Sequence, residues 1–209
     1  MARPTDADSA ATYDSIVSAT LELLDELGSA DSVSLRKVAS RAEVSLGTIQ
    51  YYFENKDTLL EACLDGYYAR LTKVVNDLIR WKTNGTLTGA PLLDHASREL
   101  YRWARRERGL LALRMSTNAQ RGELHERRQS QFMGTLISQV VAALAEHITI
   151  PEHEARIAIQ FLATSLTRAV LFSDAEVEVL TDSTGDEART RIEDFFVTTV
   201  RRVLRPGEG

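Results

Sequence analysis

The stretch SLRKVASRAEVSLGTIQYYFENKDTLL, residues 34–60, indicates two short helices joined by a tight turn. Ser34 is a favourable N-cap for the first helix and Ser45 for the second. In the second helix, Ile49 and Phe53 lie four residues apart, so both side chains face the same core. This arrangement predicts a helix-turn-helix whose second helix enters the major groove of DNA.

The outward side of the second helix carries polar and aromatic groups, which is unusual for a helix with only a structural role. Side chains that donate, accept or stack are those that contact base edges, and glycine permits close approach to the duplex. Hydroxyl and ammonium groups at helix starts bind phosphates. The predicted DNA-binding residues are Ser34, Arg36, Ser45, Gly47, Thr48, Gln50, Tyr51, Tyr52 and Lys56.

A longer pattern surrounds this motif. An amphipathic first helix ends in glycine, and the glycine-threonine-aliphatic start of the recognition helix is followed by aromatic residues and a lysine-led fourth helix. The residues that carry the pattern are Ile16, Ala19, Leu24, Gly28, Val38, Ala39, Val44, Ser45, Gly47, Thr48, Ile49, Tyr51, Tyr52, Phe53, Lys56, Leu59 and Leu60. The pattern resembles the start of a tetracycline-repressor (TetR) family transcriptional regulator. This resemblance covers roughly the first quarter to third of the chain.

Two residues depart from the family pattern. Glu43 stands in the turn, where the family often has glycine, and Gln50 stands where an aromatic residue often follows the aliphatic one. A residue other than glycine at positive φ costs about 1 kcal/mol, so the turn is expected either to be strained or to differ slightly. Glutamine both donates and accepts hydrogen bonds, so Gln50 is expected to alter the base preference.

Composition sets the outer limits. The chain has 209 residues, of which 44% are hydrophobic and 26% charged, as in an ordinary soluble protein. No apolar run approaches the roughly 18 residues of a membrane span, and the N-terminus lacks an apolar signal core. One cysteine, Cys63, excludes an internal disulfide framework. We therefore expect a cytoplasmic protein that contacts no membrane.

The charge balance does not favour DNA binding. The whole chain has a net charge of −5, and residues 1–60, with five basic and ten acidic side chains, also sum to −5. A nucleic-acid-binding domain is usually basic. However, the basic residues Arg36, Lys37, Arg41 and Lys56 all flank the recognition helix. Non-specific affinity for DNA is expected to be modest and strongly salt-dependent.

Helical periodicity extends through nearly the whole chain and predicts an all-α protein of nine helices. Residues 1–60 are predicted to form the DNA-binding domain, ordered from about residue 11, and residues 61–209 a regulatory and dimerisation domain. We call residues 1–60 the head and residues 61–209 the body. After the helix-turn-helix, helices are predicted over residues 56–82, 91–107, 110–118, 123–147, 151–173 and 187–204.

The last two long helices are apolar over more than one face. Either they are core helices of a monomer, or they form a two-fold four-helix contact between protomers. We predict the dimer, with recognition helices about 34–36 Å apart, and the family resemblance implies the same pairing. The predicted interface residues are Ala158, Leu162, Ser165, Leu166, Ala169, Ile192, Phe195, Phe196 and Thr199.

A small-molecule site in the body is a weaker prediction. Apolar bulk with a few polar groups is typical of a ligand pocket, although ordinary core packing explains each residue equally well. The candidates are Trp103, Met115, Phe132, Phe161, Thr164, Arg168 and Phe172. Arg168 lies in an apolar helix, where it is expected to meet an acidic ligand, an acidic side chain or solvent. The run Arg102, Arg105, Arg106 and Arg108 is interpreted as a solvated face, with an anion site as the alternative.

No residues are predicted to be catalytic. The four histidines have no metal-ligand spacing, and no nucleophile elbow, phosphate loop or dinucleotide fingerprint occurs, so no metal or cofactor is expected. The sequence predicts a homodimeric repressor that reads a palindromic operator in double-stranded DNA and is released by a small-molecule effector. One alternative is an all-helical binder or enzyme that retains a vestigial head. A second is an architectural DNA-binding protein, which the net charge disfavours.

Overall fold

The computed structural model describes residues 6–83, 87–121 and 134–207, and this part of the chain is helical. Its only extended pairing is one isolated bridge between Ile148 and Pro206, which confirms the all-α prediction. A single turn of 3₁₀ helix covers Ala30–Ser32. The α-helices are α1 Asp6–Leu27, α2 Leu35–Arg41, α3 Leu46–Tyr52, α4 Lys56–Thr83, α5 Gly89–Arg106, α6 Arg108–Arg121, α7 Ile137–Leu144, α8 Glu152–Leu171, α9 Asp174–Thr181 and α10 Gly185–Leu204.

The described residues form ten α-helices, so the predicted count of nine was wrong. The additional helix is α9, which the sequence analysis did not separate from the end of α8 and the loop before α10. Ser173 and Glu176 form a capping box at its start, in which each side chain accepts from the backbone N–H of the other residue. Asp182 ends it with a left-handed backbone at φ 48°.

The first of two compact units comprises Met1–Ala69 and Arg108–Glu123. Within it, α1 packs against α2 and α6, and the fully buried side chains include Ile16, Val38 and Ile49. The carboxylate of Asp25 accepts a hydrogen bond from the backbone N–H of Gly109 at 2.8 Å. This bond satisfies one of the free donors in the first turn of α6.

The second compact unit comprises Arg70–Glu107 and Leu124–Gly209. Its described core lies where α10 packs on α5 and α8, and it contains Tyr101, Leu166 and Phe196. Within this unit Arg70 binds Glu107 through two hydrogen bonds of 3.0 and 2.9 Å. The predicted functional division at residue 60 stays a prediction.

No single helix among the described residues has the length and apolar character needed to cross a membrane. Helices α8 and α9 meet that test only when taken together, and they are bent by 109° relative to each other.

The turn between α2 and α3 holds Glu43 in the left-handed region, at φ 56°. The backbone N–H of Val44 then bonds to the carbonyl of Ala39 at 3.0 Å, which closes the turn. The turn therefore keeps the left-handed geometry that favours glycine, although glutamate occupies the position.

Glu43→Gly is expected to raise the free energy of unfolding by about 0.5–1 kcal/mol. Glycine removes the left-handed strain, and this gain exceeds the entropy that glycine adds to the unfolded chain. Urea denaturation followed by circular dichroism measures the change. Glu43→Ala is the matched control, because it removes the same carboxylate but retains the strain and should give no such gain. A destabilised Glu43→Gly variant would contradict this account of the turn.

Candidate nucleic-acid interface

Helix α2 is fixed by a cap at its start and by ion pairs at its end. The Ser34 hydroxyl accepts from the backbone N–H of Lys37 at 3.3 Å, as the sequence predicted for an N-cap. At the other end, Arg41 bonds to Glu26 at 2.7 Å and to Glu22 at 3.2 Å, both on α1. These hydrogen bonds raise the pKa of the Arg41 guanidinium. The single positive charge of Arg41 offsets one of the two negative charges of Glu22 and Glu26.

Helix α3 is held by its own cap and by two buried side chains. The Ser45 hydroxyl accepts from the backbone N–H of Thr48 at 2.9 Å and lies 2.8 Å from the Thr48 hydroxyl. Ile49 is fully buried and Phe53 nearly so, which fixes the inward face of the helix. The predicted caps and the predicted core face are therefore both present.

The opposite face of α3 is open to solvent. Gly47 and Gln50 are exposed, and Tyr51 is 79% exposed, although it is one of the largest side chains in the head. A β-carbon at Gly47 would lie 3.6 Å from the Ser45 hydroxyl, which is ordinary contact, so packing within the chain does not require glycine there. An exposed face of this composition on a rigidly held helix is suited to contact with another molecule.

Tyr52 lies at the edge of this face rather than at its centre. Its hydroxyl is 3.1 Å from that of Ser9, and its ring makes edge contacts with the rings of Tyr13 and Tyr51. Tyr13 also packs against Phe53, with 5.2 Å between ring centroids. Helix periodicity identified the outward side of α3 but did not show that α1 covers part of Tyr52.

Two lysines converge on the 3₁₀ turn before α2. The ammonium group of Lys37 donates to the carbonyl of Ser32 at 2.9 Å, and that of Lys56 donates to the carbonyl of Asp31 at 3.4 Å. Arg36 is exposed and makes no ion pair with any described residue. The predicted site residues include Lys56 but not Lys37. Its signal was a basic residue three positions after the N-cap.

Residues 16–63 match the family model for bacterial regulatory proteins of the tetR family. In the same region the chain is 45% identical over 49 residues to the HTH-type transcriptional regulator BetI 1 of Chromohalobacter salexigens. It is also 42% identical over 55 residues to an uncharacterized HTH-type transcriptional regulator in the dhlA 5′ region of Xanthobacter autotrophicus. These two matches span 24% and 27% of the relatives' own lengths, and 23% and 26% of this chain.

The fold extends the likeness beyond the head. A TetR-family structure from Mesorhizobium loti MAFF303099 aligns with a TM-score of 0.70 and 17% identity, covering 98% of this chain and 100% of that one. The described fold is therefore that of a TetR-family structure, and the TetR-family sequence match covers residues 16–63. At this level of identity the structural likeness shows the shared fold of the TetR-family body and leaves its ligand open.

The predicted ligand residues that the structure describes differ in their exposure. Phe161 is 70% exposed on α8, and Thr164 and Arg168 are exposed on the same helix. Trp103 is buried in the second compact unit, whereas Met115 belongs to the first. Phe132 lies outside the described residues. The ligand assignment stays a prediction.

Arg168 has an acidic side chain as its partner, one of the three outcomes considered from the sequence. Its guanidinium pairs with Glu176 on α9 and lies over the ring of Phe172, 4.4 Å from the centroid. Together with the Ser173 backbone, this arginine lowers the pKa of the Glu176 carboxyl.

The predicted dimer residues divide into two groups. Leu162, Leu166 and Phe196 are buried inside the second unit itself. Others lie partly or fully open on α8 and α10, including Ala158, Ser165, Ala169, Ile192, Phe195 and Thr199. Phe195 is 68% exposed, and Ile157 and Val203 add to the open apolar surface although neither was predicted to lie there. The helices therefore present apolar surface beyond their own core.

Within the described parts of the chain, no group of three or more His, Cys, Asp and Glu side chains is arranged to hold a metal ion.

Proposed function

We propose that this TetR-family protein is a homodimeric transcriptional repressor that binds a palindromic DNA operator through α3. The observation that carries the proposal is the exposed face of α3, formed by Gly47, Gln50 and Tyr51 with the half-buried Thr48 beside them, on a helix whose other side is anchored by Ile49. The side chain of Tyr51 contributes little to the core, so its size and exposure favour a role in recognition.

Base contacts are assigned to the centre of this face. Gln50 donates and accepts, which suits the major-groove edge of adenine, and Gly47 allows the backbone to approach closely. Thr48 and Tyr51 are placed against base edges or thymine methyl groups. Arg36, which has no competing ion pair among the described residues, is assigned to a guanine edge.

Phosphate contacts are assigned to the rim. Lys37 and Lys56 place two ammonium groups beside the 3₁₀ turn, and the capped starts of α2 and α3 at Ser34 and Ser45 add backbone donors. Tyr52 is a weaker assignment, because its hydroxyl lies within hydrogen-bonding distance of Ser9.

The second protomer is proposed to pack on the exposed apolar surface of α8 and α10. Phe161 and Phe195 are large side chains left open by the fold, and contiguous exposed apolar surface marks interaction sites. A two-fold pairing makes the same surface serve both protomers and sets two recognition helices about one DNA turn apart.

Control by a small molecule is proposed for the body. An effector could bind more tightly to a conformation in which the two heads do not fit successive half-sites of the operator. It would then increase the population of that conformation, and the protein would release the operator. Binding of this kind requires no catalytic residues, and we propose that the protein is a regulator acting in the cytoplasm and not an enzyme.

The experiment that separates this proposal from a binder or enzyme with a vestigial head is a titration of duplex DNA. Fluorescence anisotropy at low salt should show saturable binding, and the logarithm of the affinity should fall linearly with the logarithm of salt concentration. No binding at low salt by the folded dimer would favour the alternative.

A further inference from the structure

A basic cleft lies between α5 and α10 in the second compact unit. It has a volume of about 460 Å³. Four of its lining residues are arginines: Arg102, Arg105 and Arg106 on α5, and Arg189 on α10. On α10 the cleft residues Asp186 and Glu193 fall, by helical spacing, on the face opposite Phe195. The cleft is therefore separate from the proposed dimer surface.

Tyr101 lines this cleft with a hydroxyl that has no hydrogen-bond partner among the described residues. The side chain is only 1% exposed, and an unpaired buried hydroxyl is costly. Burial raises the pKa of Tyr101, while the charges of Arg105 and Arg189 act in the opposite direction. The Arg105 guanidinium lies near the phenol oxygen and could only donate to it, so the phenol O–H has no acceptor among the described residues. The protonated phenol is an unused donor.

The positive charges of the cleft are only partly compensated. Glu193 pairs with Arg98 at 2.8 Å and with Arg102 at 3.1 Å, and Arg189 pairs with Asp174. These pairs account for two of the four lining arginines.

Arg105 and Arg106 make no ion pair with any described residue, and the remaining lining carboxylate, Asp186, makes none either. One carboxylate therefore faces two guanidinium groups that have no acidic partner. An arginine fork presents two parallel N–H donors, a geometry that matches carboxylate and phosphate oxygens.

We propose that this cleft binds a small molecule carrying an oxyanion, held by Arg105 and Arg106 and by a hydrogen bond from the Tyr101 hydroxyl. Carboxylate and phosphate are the two sources of that chemistry. Binding itself does not depend on the proposed regulatory function, whereas a role for the cleft as the effector site rests on it. The arginine run interpreted from sequence as a solvated face is thus divided, because three of its members, Arg102, Arg105 and Arg106, line a cleft with a buried donor.

The test titrates the full chain with sodium succinate, with inorganic phosphate and with succinamide, a neutral analogue, at constant ionic strength. Arginine Nε–H resonances and calorimetry report binding. We expect saturable binding of at least one oxyanion and none of succinamide, and the two anions distinguish carboxylate from phosphate. Arg105→Gln and Arg106→Gln should each weaken binding about tenfold, since each removes a charge-assisted hydrogen bond. Saturation by neither anion would overturn the proposal.

Arg80→Gln is the matched control. It removes the same charge from the second unit at an exposed residue outside the cleft, and it should leave the affinity unchanged. Equal weakening by Arg80→Gln and Arg105→Gln would show a general effect of net charge and would also overturn the proposal.

Tyr101→Phe tests the role of the hydroxyl. Without anion its Tm should equal or exceed that of the unaltered protein, because the variant removes an unsatisfied buried group. Its affinity for the anion should fall. A lowered Tm with unchanged anion affinity would show that the hydroxyl has a structural partner. The hydroxyl would then not be part of the proposed anion site. Because DNA is absent from these titrations, failure of anion binding and failure of operator binding are distinguishable.

Discussion

Tyr51→Ala is expected to weaken operator binding by about 1–3 kcal/mol, or roughly five- to 150-fold. The side chain is 79% exposed, and its described ring contact is with Tyr52 on the same helix. Its loss therefore removes a DNA contact but little of the folded core, so the Tm and the dimer should be unchanged. Fluorescence anisotropy with the operator duplex measures the affinity.

Tyr51→Phe and Tyr52→Phe are the matched controls for this result. The first keeps the ring and removes only a hydroxyl, so it separates packing against DNA from hydrogen bonding. The second removes the hydroxyl that lies 3.1 Å from that of Ser9 and should weaken DNA binding less than Tyr51→Ala. Unchanged operator affinity in a folded Tyr51→Ala protein would contradict the assignment of this face.

Phe161→Glu is expected to convert the proposed dimer into monomers. Phe161 is 70% exposed within one chain, so glutamate is tolerated by the monomer, but the proposed interface would bury it. An unpaired buried charge costs several kcal/mol, and two-fold symmetry places it in the interface twice. Size-exclusion chromatography with light scattering gives the oligomeric state, and operator affinity should fall with the loss of the second half-site.

Phe161→Leu keeps an apolar side chain at the same position and should remain dimeric with near-normal DNA binding. A Phe161→Glu protein that stays dimeric would place the interface elsewhere. A variant that unfolds instead would show a loss of helical circular dichroism, which distinguishes misfolding from dissociation.

The parts of the fold that follow local rules were predictable from the sequence. Ser34 and Ser45 are predictable as caps because a serine hydroxyl at a helix start reaches a backbone N–H within the same turn. The structure contains both bonds, each to the residue three positions later. Ile49 and Phe53 were identified as core because helical spacing alone places them on one face. The left-handed geometry at Glu43 was one of the two outcomes expected for that turn.

Features that depend on contacts between distant segments of the chain were harder to predict from the sequence. Ser9 and Tyr13 cover Tyr52 from α1, and no periodicity within α3 encodes that packing. Helix α9 has only eight residues, too few for an apolar period to be distinct, although the spacing of Ser173 and Glu176 carried a capping-box signal. The cleft beside Tyr101 is formed by two helices whose lining residues lie at least 80 positions apart in the chain.

The net charge of the head is also explained by placement. Glu22 and Glu26 on α1 are both bound to Arg41, so the guanidinium lies between two of the ten acidic side chains counted there. Lys37 and Lys56 converge on one turn, and Arg36 is exposed. Attraction to phosphates depends on the local electrostatic potential at the recognition helix more than on the net charge of residues 1–60.

The most direct test of the central claim is selection of bound duplexes from a random DNA pool at about 100 mM salt, where weak phosphate contacts are already reduced. We expect enrichment of a palindrome whose half-sites are about one helical turn apart. Enrichment should be lost with Tyr51→Ala as the selecting protein. A folded dimer that enriches no sequence would contradict the claim that α3 reads DNA.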